Sequence, residues 1–204
     1  MKNFINVILR FINGLKRPSK QTNMRLRRER GEALSSFTIR EATEKDIPAL
    51  AALHVKTWNE TYWNVKKPPA FEIREWQWRE QFKKNDGSWF CFVVEDNSAQ
   101  LVGFDKGVAY PSTDLPEYSG ELNKIYLLKN YQRLGLGRKL IGDVARRFLE
   151  KGINTMVLFG VPQNPSCSFH EAMGGEKLYA KNGGFHGGYG WKDLTKLADI
   201  CPID

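Results

Sequence analysis

Cysteine and histidine are scarce in this 204-residue chain, three of each, and the few present stand apart. Cys91, Cys167 and Cys201 form no Cys-x-x-Cys pair. An odd, scattered set argues against a disulfide framework, so reduced thiols in a cytoplasmic protein are expected. His54, His170 and His186 are equally dispersed. Zinc wants clustered Cys and His ligands, so no metal is expected. A bilayer-spanning run is also missing. The apolar stretch within residues 3–15 is too short and is broken by Arg10. It lacks the small-residue cleavage site of a secretory signal peptide. Internal repeats and low-complexity segments are absent as well.

Most of the chain also lacks an excess of one charge. The formal net charge is +8, yet residues 1–30 hold nine Lys and Arg against Glu29 alone, and the remainder carries 22 bases and 22 acids. A neutral body implies no basic face, and nucleic acid is not expected as a partner. Residues 1–34 read as a basic amphipathic leader and linker. Asn3, Asn6, Arg10 and Asn13 share one helical face, while Phe4, Ile5, Val7, Ile8, Leu9, Phe11, Ile12 and Leu15 cover the rest. The clusters Lys16-Arg17-Pro18-Ser19-Lys20 and Arg25-Leu26-Arg27-Arg28 favour anionic surfaces. Three readings stand side by side: a helix at a membrane surface or a partner protein, a structural helix folded on the domain, or a start at Met24.

What is present in strength is Gln132-Arg133-Leu134-Gly135-Leu136-Gly137-Arg138, between the apolar stretch Leu122–Leu128 and a helical pattern opening at Gly135. A strand, a glycine loop and a helix in that order make a diphosphate site. Glycines let the backbone approach the oxygens, and the first helical turn offers unpaired N–H groups and a partial positive charge. Arg133 and Arg138 add full charges. A dinucleotide fingerprint is excluded because Leu140 replaces its third glycine and Thr155–Val161 carries no acid. A P-loop is excluded because Gly137 is followed by Arg138-Lys139.

The remaining pattern, Gln-x-x-Gly-x-Gly after a strand, resembles the coenzyme A pyrophosphate loop of the GNAT acyltransferase superfamily. Gly120-Glu121-Leu122-Asn123-Lys124-Ile125-Tyr126-Leu127 is similar to that family's fourth strand. Asn164-Pro165-Ser166-Cys167-Ser168-Phe169-His170-Glu171-Ala172-Met173-Gly174-Gly175 resembles its Asn-Pro-x-x-x-x-Phe-Tyr-Glu-x-x-Gly-Gly segment. Tyr189-Gly190-Trp191-Lys192-Asp193-Leu194 is similar to the tail of one bacterial branch. The likeness covers residues 36–197 and places a domain at 35–197, with 198–204 as a C-terminal tail.

The order of elements agrees. Phe37–Arg40 reads as a strand, Thr43 to Tyr62 as a capped helix and 70–84 as a second helix. Trp89–Glu95 and Leu101–Tyr110 read as antiparallel strands, and 135–151 as a helix stopped by Gly152. Thr155–Val161 is a buried strand, 165–173 a short helix, and 177–181 and 188–192 are short strands. The fold class is α/β, a mostly antiparallel mixed sheet flanked by helices. The resemblance adds that the central strands splay.

The resemblance implies acetyl-CoA as co-substrate and direct attack by an amine. It places Ile125, Tyr126 and Leu127 along the acetyl-pantetheine arm by their main chain, with side chains free to pack as core. Gln132 through Arg138 would hold the diphosphate, and Asn164 the arm. Glu121, eleven residues before Gln132, resembles the general-base glutamate of the family's histone acetyltransferases. A strand cap or an ammonium-binding role is the alternative. His170 stands where many members have a tyrosine that protonates the departing sulfur, and an imidazolium could do that work. A structural hydrogen-bonding role competes. Trp58, Tyr62 and Trp63 fall where the family lines its acceptor pocket, against a plain packing role. Cys167 reads as a packed thiol. Two functions result: an N-acetyltransferase acting on the primary amine of a small molecule or protein, or a weakly catalytic acyl-CoA-binding module working through a partner or membrane.

Overall fold

A computed structural model describes residues 34–62, 69–84 and 86–201. The leader of residues 1–30 and Trp63 lie outside the described residues. No helix among the described residues is long and apolar enough to cross a membrane.

The chain enters through β1 (Thr38–Glu41), an edge strand paired with β3 (Phe92–Glu95). The following turn is organised by one carboxylate. Asp46 accepts from the Thr43 amide at 2.7 Å and hydroxyl at 3.0 Å, and from both terminal nitrogens of Arg40 at 2.8 Å. The Arg40 guanidinium holds the Asp46 carboxyl down at about 2. This box satisfies the orphan donors of the entry. It launches a single 3-10 turn and then α1 (Ile47–Tyr62). α2 (Phe71–Lys83) packs beside α1, with Trp78 as its buried anchor.

Among the described residues the sheet has eight strands in the order β1, β3, β4 (Leu101–Ala109), β5 (Gly120–Leu127), β6 (Met156–Phe159), β8 (Phe185–Trp191) and β7 (Glu176–Tyr179), with β2 (Trp89–Phe90) also paired to β4. The stretch expected as one strand, Trp89–Glu95, is divided at Cys91 into β2 (Trp89–Phe90) and β3. The Phe92 amide donates to the Asp105 carboxyl at 3.2 Å, and the Cys91 carbonyl accepts from Ala42. Asp105 is fully buried, and desolvation pushes its carboxyl well above the usual range. β4 (Leu101–Ala109) and β5 (Gly120–Leu127) are antiparallel, pairing Lys106 with Lys124 and Gly107 with Leu122. Asn123 is therefore the extra residue of a bulge.

α3 (Leu136–Glu150) buries Leu136, Leu140, Ile141, Val144, Ala145 and Phe148, a helical stripe of three- and four-residue steps. That stripe joins Leu122, Met156, Leu158, Tyr189 and Trp191 in the main core. The opposite face of the sheet carries Phe104 and Tyr126, which meet His54 of α1 and, at Phe104, Trp78 of α2. β6 (Met156–Phe159), the short α4 (Cys167–Ala172), β7 (Glu176–Tyr179) and β8 (Phe185–Trp191) complete the sheet region.

One element was not read from the sequence. α5 (Leu194–Ile200) begins at Asp193, which accepts from the Thr195 amide at 3.0 Å. Leu194, Leu197 and Cys201 are buried in the main core. The expected boundary at 197 thus falls inside a helix whose far end is packed. Arg146 fixes that end, donating to the Cys201 carbonyl at 2.6 Å.

Candidate active site

The glycine loop forms where β5 gives way to α3. Gln132 returns its side-chain amide to the Leu127 carbonyl at 3.1 Å, tying the loop to the strand end. Arg133 (φ +67°) and Gly135 (φ +99°) both lie in the left-handed region, and Gly135 is the helix N-cap. Arg138 and Lys139 both donate backbone N–H groups to the Gly135 carbonyl, at 3.0 and 3.2 Å. No carbonyl of the helix itself can reach the amides of Leu136 and Gly137, which point out of the first turn with the positive end of the helix dipole. A Cβ on Gly137 would lie 3.4 Å from the Phe169 ring and 3.6 Å from Leu127. Arg133 is exposed beside the loop. Arg138 is engaged by α5, donating to the Ile200 carbonyl.

Beside this loop the sheet opens. β5 and β6 are parallel and pair only at Gly120 with Met156 and Glu121 with Val157. Beyond Glu121 the strands part, so Ile125, Tyr126 and Leu127, still paired to β4 on one side, border a gap on the side of β6. Ile125 packs on the main core, whereas Tyr126 turns to the α1 face. Burial, and then Tyr62, raise the Tyr126 hydroxyl above the ordinary phenol range. Asn164 follows β6. It accepts from the Ser166 amide at 2.9 Å and donates to the Tyr62 hydroxyl at 3.0 Å.

Glu121 stands at the point where the strands separate, half-buried, accepting from the Asn123 side chain at 2.9 Å. Trp58 and Tyr62 are in contact, their ring planes tilted by 48° and their centroids 4.6 Å apart. The structure thus brings Tyr62, Tyr126 and Asn164 together, with Trp58 alongside. It adds residues that sequence reasoning missed. Arg74 of α2 lies over the Trp58 ring at 5.4 Å, and Lys106 and Lys124 face each other across β4 and β5. Charged residues inside two largely apolar strands were the available signal. His54, buried under the same face, is held neutral, its pKa lowered to about 3 by burial and then by Arg74.

His170 is buried. Its side chain is enclosed by Phe169, Tyr189 and Trp191, with 4% of the residue exposed, and burial lowers its pKa to about 4. Burial thus favours the neutral imidazole, and its Nδ1 has no partner among the described residues. Tyr189 and Trp191 come from β8, which a local reading of the helix does not include. Cys167 directs its thiol to the Pro162 carbonyl at 3.4 Å. Among the described residues no group of three His, Cys, Asp or Glu side chains could hold a metal ion.

The chain is similar to known proteins. Residues 38–175 match a family model described as the acetyltransferase (GNAT) family. An uncharacterized N-acetyltransferase of Bacillus subtilis, YuaI, is 32% identical over 169 residues, covering 80% of this chain and 97% of that protein. The phosphinothricin N-acetyltransferase of Streptomyces viridochromogenes is 30% identical over 116 residues, covering 52% of this chain and 63% of that one. Among solved structures, the PaiA N-acetyltransferase of Thermoplasma acidophilum in complex with coenzyme A aligns with TM-score 0.57 and 20% identity, over 76% of this chain and 98% of that chain. A GNAT acetyltransferase of Staphylococcus aureus Mu50 aligns with TM-score 0.62 and 16% identity, over 78% and 99%. Both share its fold, a mixed sheet flanked by helices. The chain belongs to the GNAT family of N-acetyltransferases.

Proposed function

We propose that the chain moves the acetyl group of acetyl-CoA to a primary amine by direct attack, with Glu121 as the base. The observation that carries this reading is one juxtaposition. The open amides of Leu136 and Gly137 lie at the end of the same strand, β5, whose beginning carries Glu121 and whose middle borders the gap. A diphosphate on the loop, with Gln132 through Arg138 around it, leaves its acyl arm free to lie along Ile125, Tyr126 and Leu127, with Asn164 across the gap. The arm's thioester then approaches the side of the sheet where Trp58 and Tyr62 stand.

In this reading Glu121 takes one proton from the ammonium group, and the free amine attacks the thioester carbon. The carbon–sulfur bond breaks as the carbon–nitrogen bond forms, and the second amine proton leaves with the thiol. Main-chain donors on β5 are suited to the carbonyl oxygen, which gains charge on the way. Sulfur protonation is not given to His170, because its imidazole is buried and neutral. The test follows CoA thiol release from acetyl-CoA against amines, amino acids and peptides, with the acetylated product identified by mass. Thiol release that depends on the amine supports transfer. Tight CoA binding with no acetylated product from any amine would leave an acyl-CoA-binding module instead.

A further inference from the structure

The acceptor face holds three cations, and among the described residues none of them is ion-paired or hydrogen-bonded to a carboxylate. Arg74 donates to the Gln77 side chain at 2.8 Å, Lys106 to Gln81 at 2.6 Å and Lys124 to Asn123 at 2.6 Å. Each is propped by a neutral amide oxygen. Three carboxylates of α1 and α2 are engaged elsewhere, Glu60 on the Lys129 amide, Glu75 on Arg79 and Glu80 on Lys83. Lys106 and Lys124 are direct cross-strand neighbours. Like charges so placed destabilise a sheet, and burying them unpaired adds a desolvation cost. Both lysines have lowered pKa values, Lys106 to about 8, with burial the first cause. Arg74 Nε and Trp58 Nε1 are buried donors without an acceptor among the described residues. Among the described residues Glu121 is the carboxylate that offsets this field, and it sits at the other task of the site.

A site for a polycationic amine would be built the other way, with acids. Resting on the acetyl-transfer reading above, we propose that the acceptor is an acidic amine, a small molecule whose carboxylate or phosphonate docks between Arg74 and Lys124 while its amine meets Glu121. The arginine fork matches an oxyanion in two-pronged fashion, and the Lys124 ammonium adds a point charge from the sheet. Lys106 strengthens the field from behind. Trp58 both backs the guanidinium and offers its indole N–H.

Thiol release is compared for glutamate, β-alanine and aminoethylphosphonate, for uncharged counterparts in which the anionic group is an amide or alkyl group, and for spermidine. Acidic amines are expected to exceed their neutral counterparts by at least roughly tenfold in kcat/KM, as charge-assisted hydrogen bonds provide. Arg74→Gln and Lys124→Gln should each remove most of that preference, chiefly through KM, and penalise the acidic amine more than the neutral one. The CoA-induced rise in melting temperature identifies variants that are folded, and the wild-type panel decides if either is not. A preference for neutral amines or spermidine, or equal losses for both classes in a folded variant, would overturn the inference while leaving acetyl transfer standing. No acetylated product from any amine would overturn both.

Discussion

The Asn164 side chain donates to the Tyr62 hydroxyl at 3.0 Å across 102 residues of sequence. One partner follows β6 and the other ends α1; in the proposed reading they stand on the cofactor side and the acceptor side of the gap. The bond therefore couples the two halves of the site, and its removal should be felt on both.

Tyr62→Phe tests that coupling. The lost hydrogen bond is worth about 0.5–1.5 kcal/mol in stability. The freed Asn164 amide also loses its orientation toward the gap. We expect CoA affinity to fall by roughly 2- to 10-fold, the equivalent of that energy, together with a raised KM for the amine. Isothermal titration with CoA and steady-state kinetics read the two effects separately. Unchanged values in both would show that the contact is incidental to the site.

The glycines of the loop make different predictions because their surroundings differ. Gly135 has φ +99°, so any side chain is strained there, and Gly135→Val should abolish CoA binding. Gly137 has no such strain, and an added Cβ would only touch Phe169 at ordinary contact distance. Gly137→Ala should fold normally, whereas a bulky residue enters the space beside the open amides. In wild type, CoA at a hundred times its Kd should raise stability by about 2.7 kcal/mol. Thermal melts with and without CoA measure this, and a wild-type curve indifferent to saturating CoA would reject the loop as the binding element.

Acid should weaken the fold through two histidines. Burial lowers the folded pKa of His54 to about 3 and of His170 to about 4, from an ordinary 6.5. Below 6.5 the unfolded chain takes up protons that the folded chain refuses. Stability is therefore full above that value and falls as the pH drops toward 4. For His170 the difference corresponds to about 3 kcal/mol. Denaturant melts between pH 7.5 and 4.5 should show the slope, and His170→Phe, if it folds, should flatten it. An unchanged slope would mean that His170 is hydrated and titrates freely.

Much of this site could be read before folding, because its signals are local. Gly135, Gly137 and the α3 stripe are close in sequence, and they lie where the spacing placed them. The Thr43–Asp46 turn was legible for the same reason. Features made by distant segments were not. The break at Cys91 depends on Asp105, and the neutral state of His170 depends on β8. The facing of Lys106 and Lys124 depends on a bulge that sets the register. Balanced composition hid the basic face as well, since 22 bases and 22 acids say nothing of where the fold puts each. α5 escaped because seven residues give too few turns for a periodic signal, and its core contacts come from α3.

Glu121 offers the sharpest test of the chemistry. It stands at the last pairing position before β5 and β6 separate, beside Val157 in register, and accepts a hydrogen bond from the Asn123 side chain. A carboxylate there has a spare oxygen for the ammonium of the acceptor. Glu121→Gln keeps the shape and the Asn123 contact within reach but removes the basic charge. If Glu121 is the base, turnover should fall by roughly 10²–10⁴-fold. CoA binding, made at the other end of β5, should stay within about twofold. The loss should shrink as the pH rises toward the pKa of the amine, because a free amine needs no deprotonation. An equal loss at every pH would assign Glu121 to holding the ammonium in place. Wild-type turnover in the variant would remove it from the mechanism and return the search for a base to the side chains around Tyr126.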